Sequence, residues 1–137
     1  MQRDALEIIA TSVMDAAFEV HRHLGPGLLE STYEMALGHE LTRLGIPFER
    51  QKDMPVSYKG VFLDCGYRLD LLVADELLVE LKAIEALLPV HEAQLLTYLK
   101  LADKRLGFLI NFNVPLLKQG FKRMVNRLRE ALAPKTE

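Results

Sequence analysis

The sequence predicts an α/β fold of the α+β kind, a central mixed β-sheet flanked by helices. Two amphipathic helical stretches open the chain, short apolar runs of strand length fill its middle, and a further helix then separates those runs from one more apolar strand. With 137 residues, 50% of them hydrophobic and 26% charged, the chain fits a single domain, 1–137, with its own core.

Between Arg3 and Leu24, apolar residues recur at Leu6, Ile9, Ala10, Val13, Ala16, Ala17, Val20 and Leu24, the stripe of a first helix. Gly25-Pro26-Gly27 stops it. A second helix from Leu29 to Leu44 is expected to bury Leu29, Tyr33, Ala36, Leu37, Leu41 and Leu44 before Gly45 closes it. Ile46–Gln51, Pro55–Lys59 and Val61–Val73 read as strands, with Lys59-Gly60 as a turn and Cys65-Gly66 as a bulge or bend. Leu77–Ala83 is the next strand. Pro89 precedes a helix over Val90–Ala102, Leu106–Phe112 forms an apolar strand, and Gly120–Leu132 is expected as a terminal helix.

The segments on either side of Ala74-Asp75-Glu76 read as a β-hairpin. A loop centred on Asp75 sets Asp70 opposite Glu80, whereas an even loop would oppose Asp70 to Leu81 and mix the polar and apolar faces. Directly opposed carboxylates, roughly 5 Å apart at Cβ, destabilise a sheet. Unit charges about 4 Å apart interact by roughly 4 kcal/mol at an effective dielectric constant of about 20, more than Lys82, two residues along, reliably offsets. A divalent cation would offset it, and the Leu81 backbone carbonyl is a hard oxygen ligand suited to Mg²⁺. The plainer reading is a solvated face with a diagonal Asp70–Lys82 pair. The surrounding Leu69, Leu71, Leu72, Val73, Leu77, Leu78, Val79 and Leu81 favour the metal reading, because an unpaired charge among buried strands is costly.

The net charge of −2 argues against a protein that coats nucleic acid through many phosphate contacts. Lys118, Lys122, Arg123, Arg127 and Arg129 nevertheless form a local basic strip, either a solvated helix face or a surface that steers a polyanion. The single cysteine, Cys65, excludes an intrachain disulfide, suits a reducing cytoplasm and is expected to be a packed strand residue. Met1-Gln2-Arg3-Asp4 leads into an amphipathic stretch, so secretion is not expected, and no run is long enough for a bilayer.

Other polar sets stand near these elements. Glu30 and Tyr33 share a face of the second helix, where Glu30 alone reads as a first-turn charge favoured by the helix dipole. His91, Gln94 and Tyr98 share a face of the helix after Lys82, where His91 alone reads as a surface or capping residue. Gly25-Pro26-Gly27 lacks the third glycine and preceding strand of a phosphate loop, and Glu30 would repel phosphate. His21 and His23 point to different helix faces, which makes them poor metal partners.

Gly27-Leu28-Leu29-Glu30-Ser31-Thr32-Tyr33 resembles the signature of the GxxExxY family, placed in the PD-(D/E)XK nuclease superfamily. The resemblance runs over residues 5–126 through Leu24–Gly27, Val56–Gly60, Arg68–Val73, Val79–Ala83, His91–Leu99 and Leu109–Phe112, in the same order. It implies a restriction-endonuclease-like core and a Mg²⁺- or Mn²⁺-dependent nuclease in which Asp70, Glu80, the Leu81 carbonyl and Glu30 hold metal. Lys82 and Gln94 complete the implied catalytic set, with Tyr33, His91 and Tyr98 as orienting residues. The implied partner is nucleic acid, DNA ahead of RNA, and cutting both strands of a duplex favours a homodimer. Two other classes remain: a noncatalytic nucleic-acid-binding or protein-interaction module that retains the fold, and a homo-oligomeric protein packed through its basic C-terminal helix.

Overall fold

A computed structural model describes residues 3–127. Helices α1 (Arg3–Leu24) and α2 (Glu30–Arg43) are followed by β1 (Phe48–Asp53), β2 (Val56–Tyr58), β3 (Val61–Leu63), β4 (Arg68–Val73) and β5 (Leu77–Lys82). Helix α3 (Pro89–Ala102) then leads to β6 (Leu106–Asn111), a 3₁₀ turn at Leu117–Gln119, and β7 (Phe121–Val125). Five strands form one sheet in the order β1-β4-β5-β6-β7, and β2 and β3 form a separate hairpin. The β5–β6 pairing is parallel and the others antiparallel, so α3 is the crossover that a parallel pair requires. The expected mixed sheet with flanking helices is therefore present.

Side-chain alternation divides the core into two layers. Leu71, Val73, Leu77, Val79, Leu81, Phe108 and Ile110 pack with the α1 and α2 stripe of Leu6, Ala10, Val13, Ala17, Val20, Tyr33, Leu37 and Leu41. Leu72, Leu78 and Leu109 project the other way, against Leu95, Tyr98 and Leu99 of α3. Two ends of the expected α2 stripe do not join the core: Leu29 is 74% exposed and Leu44 49%. They are the N-cap and C-cap residues, outside the helical turns that face the sheet. Cys65 is also exposed, in the connection between β3 and β4, and is not a packed strand residue. Among the described residues, no helix is long and apolar enough to cross a membrane.

The segment from Phe121 to Val125 is a strand, not the start of the expected terminal helix; the part of that expectation beyond Arg127, with Arg129, lies outside the described residues. Phe121, Met124 and Val125 have helical spacing, but the neighbouring strand decides the outcome. All six residues of β6 are buried, and its outward backbone groups need partners. Pairing from Leu106–Val125 to Ile110–Phe121 supplies them. The Phe121 ring then lies 4.7 Å from Phe108 and 5.9 Å from Phe18. The basic strip is accordingly not a helix face over these residues, and Arg123 pairs with Glu7 of α1.

Gly120 makes the turn into β7 against the end of β6. A Cβ there would lie 2.2 Å from the Asn111 carbonyl oxygen, a backbone atom that cannot move aside. Gly120→Ala is expected to destabilise the fold by about 3 kcal/mol, as overpacking does, measured by urea unfolding; a change below about 0.5 kcal/mol would contradict this packing.

Candidate active site

The C-terminal end of β5 is fixed by the end of β6. Asn111, 1% exposed, accepts the Ile84 N–H through Oδ1 at 3.1 Å and donates from Nδ2 to the Ile84 carbonyl at 3.0 Å. The Phe112 N–H donates to the Lys82 carbonyl. Val79 and Leu81 belong to the α1/α2 layer, so the strand period turns Glu80 and Lys82 to the opposite face.

The hairpin register places Leu71 opposite Val79, Leu72 opposite Leu78 and Val73 opposite Leu77, the odd-loop register that the sequence predicts. The turn holds Ala74 and Asp75 at positive φ, and the Glu76 N–H donates to the Val73 carbonyl. Regular pairing ends at Leu71–Val79, one step before Asp70 and Glu80. Leu69 and Leu72 share the α3 layer while Leu71 lies in the other, so strict alternation breaks at Asp70. There the carboxylates replace the missing ladder bonds. The Asp70 N–H donates to Glu80 Oε1 at 3.2 Å, and the Leu81 N–H donates to Asp70 Oδ2 at 2.8 Å. Because the N–H and C=O of a strand residue point to the same edge, the Leu81 carbonyl also faces Asp70.

Glu30, in the first turn of α2, stands farther out but within electrostatic reach of Asp70. Its carboxyl feels Asp70 and Lys82, and the Ala83 backbone N–H favours its charged form. All three carboxyls are raised above their ordinary values. Burial is the largest cause for Glu80, followed by repulsion from Asp70, and pushes it up to about 8. Burial likewise leads for Asp70, opposed by the Leu81 N–H, and for Glu30, reinforced by Asp70. Lys82 is the cation that acts on all three. Ionising all three carboxyls against one ammonium would put a net charge of −2 in the partly buried fork, and the rise of Glu80 to about 8 relieves part of that charge by protonation.

Among the described residues, no three His, Cys, Asp or Glu side chains converge at metal-ligand spacing. The donor set is two carboxylates and a backbone carbonyl, with Glu30 farther out. Such a set suits Mg²⁺, which keeps several waters and takes one or two carboxylates.

The remaining expected residues separate into near and remote. Tyr98, 9% exposed, has its phenol raised first by burial and next by Glu80, which places it beside the fork. The hydrogen bond of Gln94 goes to the Tyr98 hydroxyl at 3.0 Å, so Gln94 reaches the carboxylates through Tyr98. His91 caps α3: its Nδ1 accepts the Leu88 N–H at 2.9 Å while its own N–H donates to the Leu88 carbonyl. Tyr33, fully buried, stacks on Phe112 with ring centroids 4.5 Å apart. Its hydroxyl donates to the Gly25 carbonyl at 2.6 Å and accepts the Leu28 N–H at 3.1 Å, fastening the loop that delivers Glu30. Tyr33→Phe is expected to cost about 1–2 kcal/mol, since both loop groups lose their partner, measured by chemical denaturation; an unchanged midpoint would contradict the fastening. His21 bonds the Val114 carbonyl and His23 bonds Glu19, so the two share no ligand.

Three residues not singled out in the sequence also serve the fork. Buried Glu34 accepts from Arg50 Nη2 at 3.0 Å and from Gln51 Nε2 at 2.7 Å. Gln51 Nε2 also lies 3.4 Å from Asp70 Oδ1. Glu30 and Glu34 stand at i and i+4, where like charges repel, and that spacing is the sequence signal for a partnered Glu34. Arg50 and Gln51 carry no such signal.

No curated protein and no solved structure matches the chain. A family model does match, over residues 7–124, a span that includes α2, the hairpin fork and α3. The chain belongs to the PD-(D/E)XK nuclease superfamily.

Proposed function

We propose that this protein is a Mg²⁺- or Mn²⁺-dependent nuclease that hydrolyses phosphodiester bonds of nucleic acid, DNA ahead of RNA, and is of the GxxExxY type. The observation that carries the proposal is the concentration of negative charge where the Asp70 and Glu80 carboxylates meet at the end of the hairpin, each accepting a backbone N–H of the facing strand, with Lys82 as the cation that acts on both and on Glu30. A divalent cation neutralises that charge, whereas a proton on Glu80 relieves only part of it. Membership of the nuclease superfamily supports the same reading.

Asp70, Glu80 and the Leu81 carbonyl would hold the ion, with Glu30 reaching it through water. When bound, a divalent cation supplies Lewis-acid polarisation of the phosphoryl group and acidifies water for attack. Lys82 orients the attacking water and stabilises charge developing on the phosphoryl oxygens. Tyr98, held by Gln94, bounds the side of the fork and donates its phenolic hydrogen bond to a phosphate or water. His91 and Tyr33 act through the elements that they fasten, not on substrate.

The test is incubation of the purified protein with linear duplex, circular and single-stranded DNA and with RNA, in Mg²⁺ or Mn²⁺, beside Lys82→Ala and a chelator control. Cleavage by the wild type that disappears in both controls is expected. Equal products from wild type and variant would overturn the assignment of the site. Binding without cleavage on every substrate would favour the noncatalytic module.

A further inference from the structure

Gln51 is the one residue of β1 whose backbone departs from the strand. Its φ is 51°, in the left-handed region that side chains with a Cβ avoid. The departure is local: Arg50 still pairs with Leu71 and Lys52 with Leu69, which leaves Gln51 level with Asp70. An unfavourable backbone maintained inside an otherwise regular strand points to a demand made by its surroundings. Here that demand is visible. The Gln51 carboxamide nitrogen lies 2.7 Å from Glu34 Oε1 and 3.4 Å from Asp70 Oδ1. Glu34 is itself 6% exposed and is anchored at its other oxygen by Arg50 Nε and Nη2, at 3.2 and 3.0 Å. Asp70 is therefore gripped at both oxygens, at Oδ2 by the Leu81 N–H and at Oδ1 by Gln51. Each oxygen retains a lone pair for an ion, and the plane of the carboxylate is set.

We propose that Gln51 is a positioning residue, a neutral strut between Glu34 and Asp70 that presents the Asp70 carboxylate to a divalent cation. A carboxamide suits the task where charged side chains do not. Its two hydrogens serve two carboxylates at once, and it leaves the negative charge of the fork available to the metal. Lysine or arginine here would cancel that charge, and glutamate would add a third carboxylate between two others. Outer partners of this kind commonly set metal affinity by 10–100-fold.

The inference rests on the metal reading, and its test separates the two. Mn²⁺ affinity is measured by the loss of the free-ion paramagnetic signal on wild type, Asp70→Asn, Gln51→Gly and Gln51→Asn, each verified as folded by circular dichroism at the titration temperature. Glycine and asparagine both tolerate positive φ, and neither spans from β1 to Asp70. Wild-type binding that Asp70→Asn abolishes supports the metal reading. Affinity reduced roughly 10–100-fold in the Gln51 variants supports the strut. A role in folding alone would lower the melting temperature and leave the affinity of the folded protein unchanged. Unchanged affinity in both Gln51 variants overturns the strut and spares the metal site; no Mn²⁺ binding by the wild type overturns both.

Discussion

Glu80→Gln is expected to lower metal-dependent cleavage by roughly a thousandfold and, without metal, to make the protein more stable than wild type above about pH 8. Both effects follow from one carboxyl. Glutamine retains an oxygen to accept the Asp70 N–H, but it removes the charge that repels Asp70 and draws the ion. Losing an electrostatic contribution of about 4 kcal/mol to the transition state corresponds to roughly a thousandfold in rate. The stability effect depends on pH. Glu80 has its carboxyl raised from 4.5 to about 8 in the folded protein, so between those values the native state holds a proton that the unfolded chain releases. The contribution is fully present below 4.5 and is lost as pH rises through about 8, with a slope of at most about 1.4 kcal/mol per pH unit. Metal-free wild type should therefore lose stability toward alkaline pH more steeply than Glu80→Gln in parallel urea titrations. Saturating Mn²⁺ should remove the difference in slope, because the ion takes the place of the proton. Identical pH profiles for the two metal-free proteins would contradict the placement of Glu80.

Lys82→Ala is expected to separate binding from chemistry. The ammonium opposes all three carboxylates, so its removal makes the fork more negative and should leave Mn²⁺ affinity unchanged or tighter. The rate at saturating metal should nevertheless fall by about 10²–10³-fold, the usual loss when one donor aimed at developing charge is removed. Single-turnover cleavage at a series of Mn²⁺ concentrations measures both quantities. A variant that regains the wild-type rate at high metal would show Lys82 to be a metal-affinity residue only.

The hairpin was legible because its register follows from short-range rules. Side-chain period and an odd loop determine which residues oppose, and the apolar run on both strands marks them as buried. Asp70, Glu80 and Lys82 could thus be set together from spacing alone. The break in alternation at Asp70 was not legible, since it arises where β1, β4 and β5 meet and two carboxylates take over backbone bonds. Gln51 stayed hidden for the same reason: its partners, Glu34 and Asp70, come from elements distant in sequence. The last strand carries a helical signal in its sequence, because Phe121, Met124 and Val125 repeat at helical spacing, and only the demand of β6 for an edge partner decides otherwise. Tyr33 and His91 have the right residue types on the right helices, yet their polar atoms serve a loop and a helix cap. A helical face records which side chains are neighbours, not which neighbour they bond.

The most direct measurement is the anomalous scattering of Mn²⁺ in crystals of the wild-type protein. A peak bounded by the Asp70 and Glu80 carboxylates and the Leu81 carbonyl, with Glu30 at one water's remove and Lys82 beside it, is the predicted result. A peak elsewhere, or none at a Mn²⁺ concentration that supports cleavage, would contradict the assignment of this fork as the metal centre.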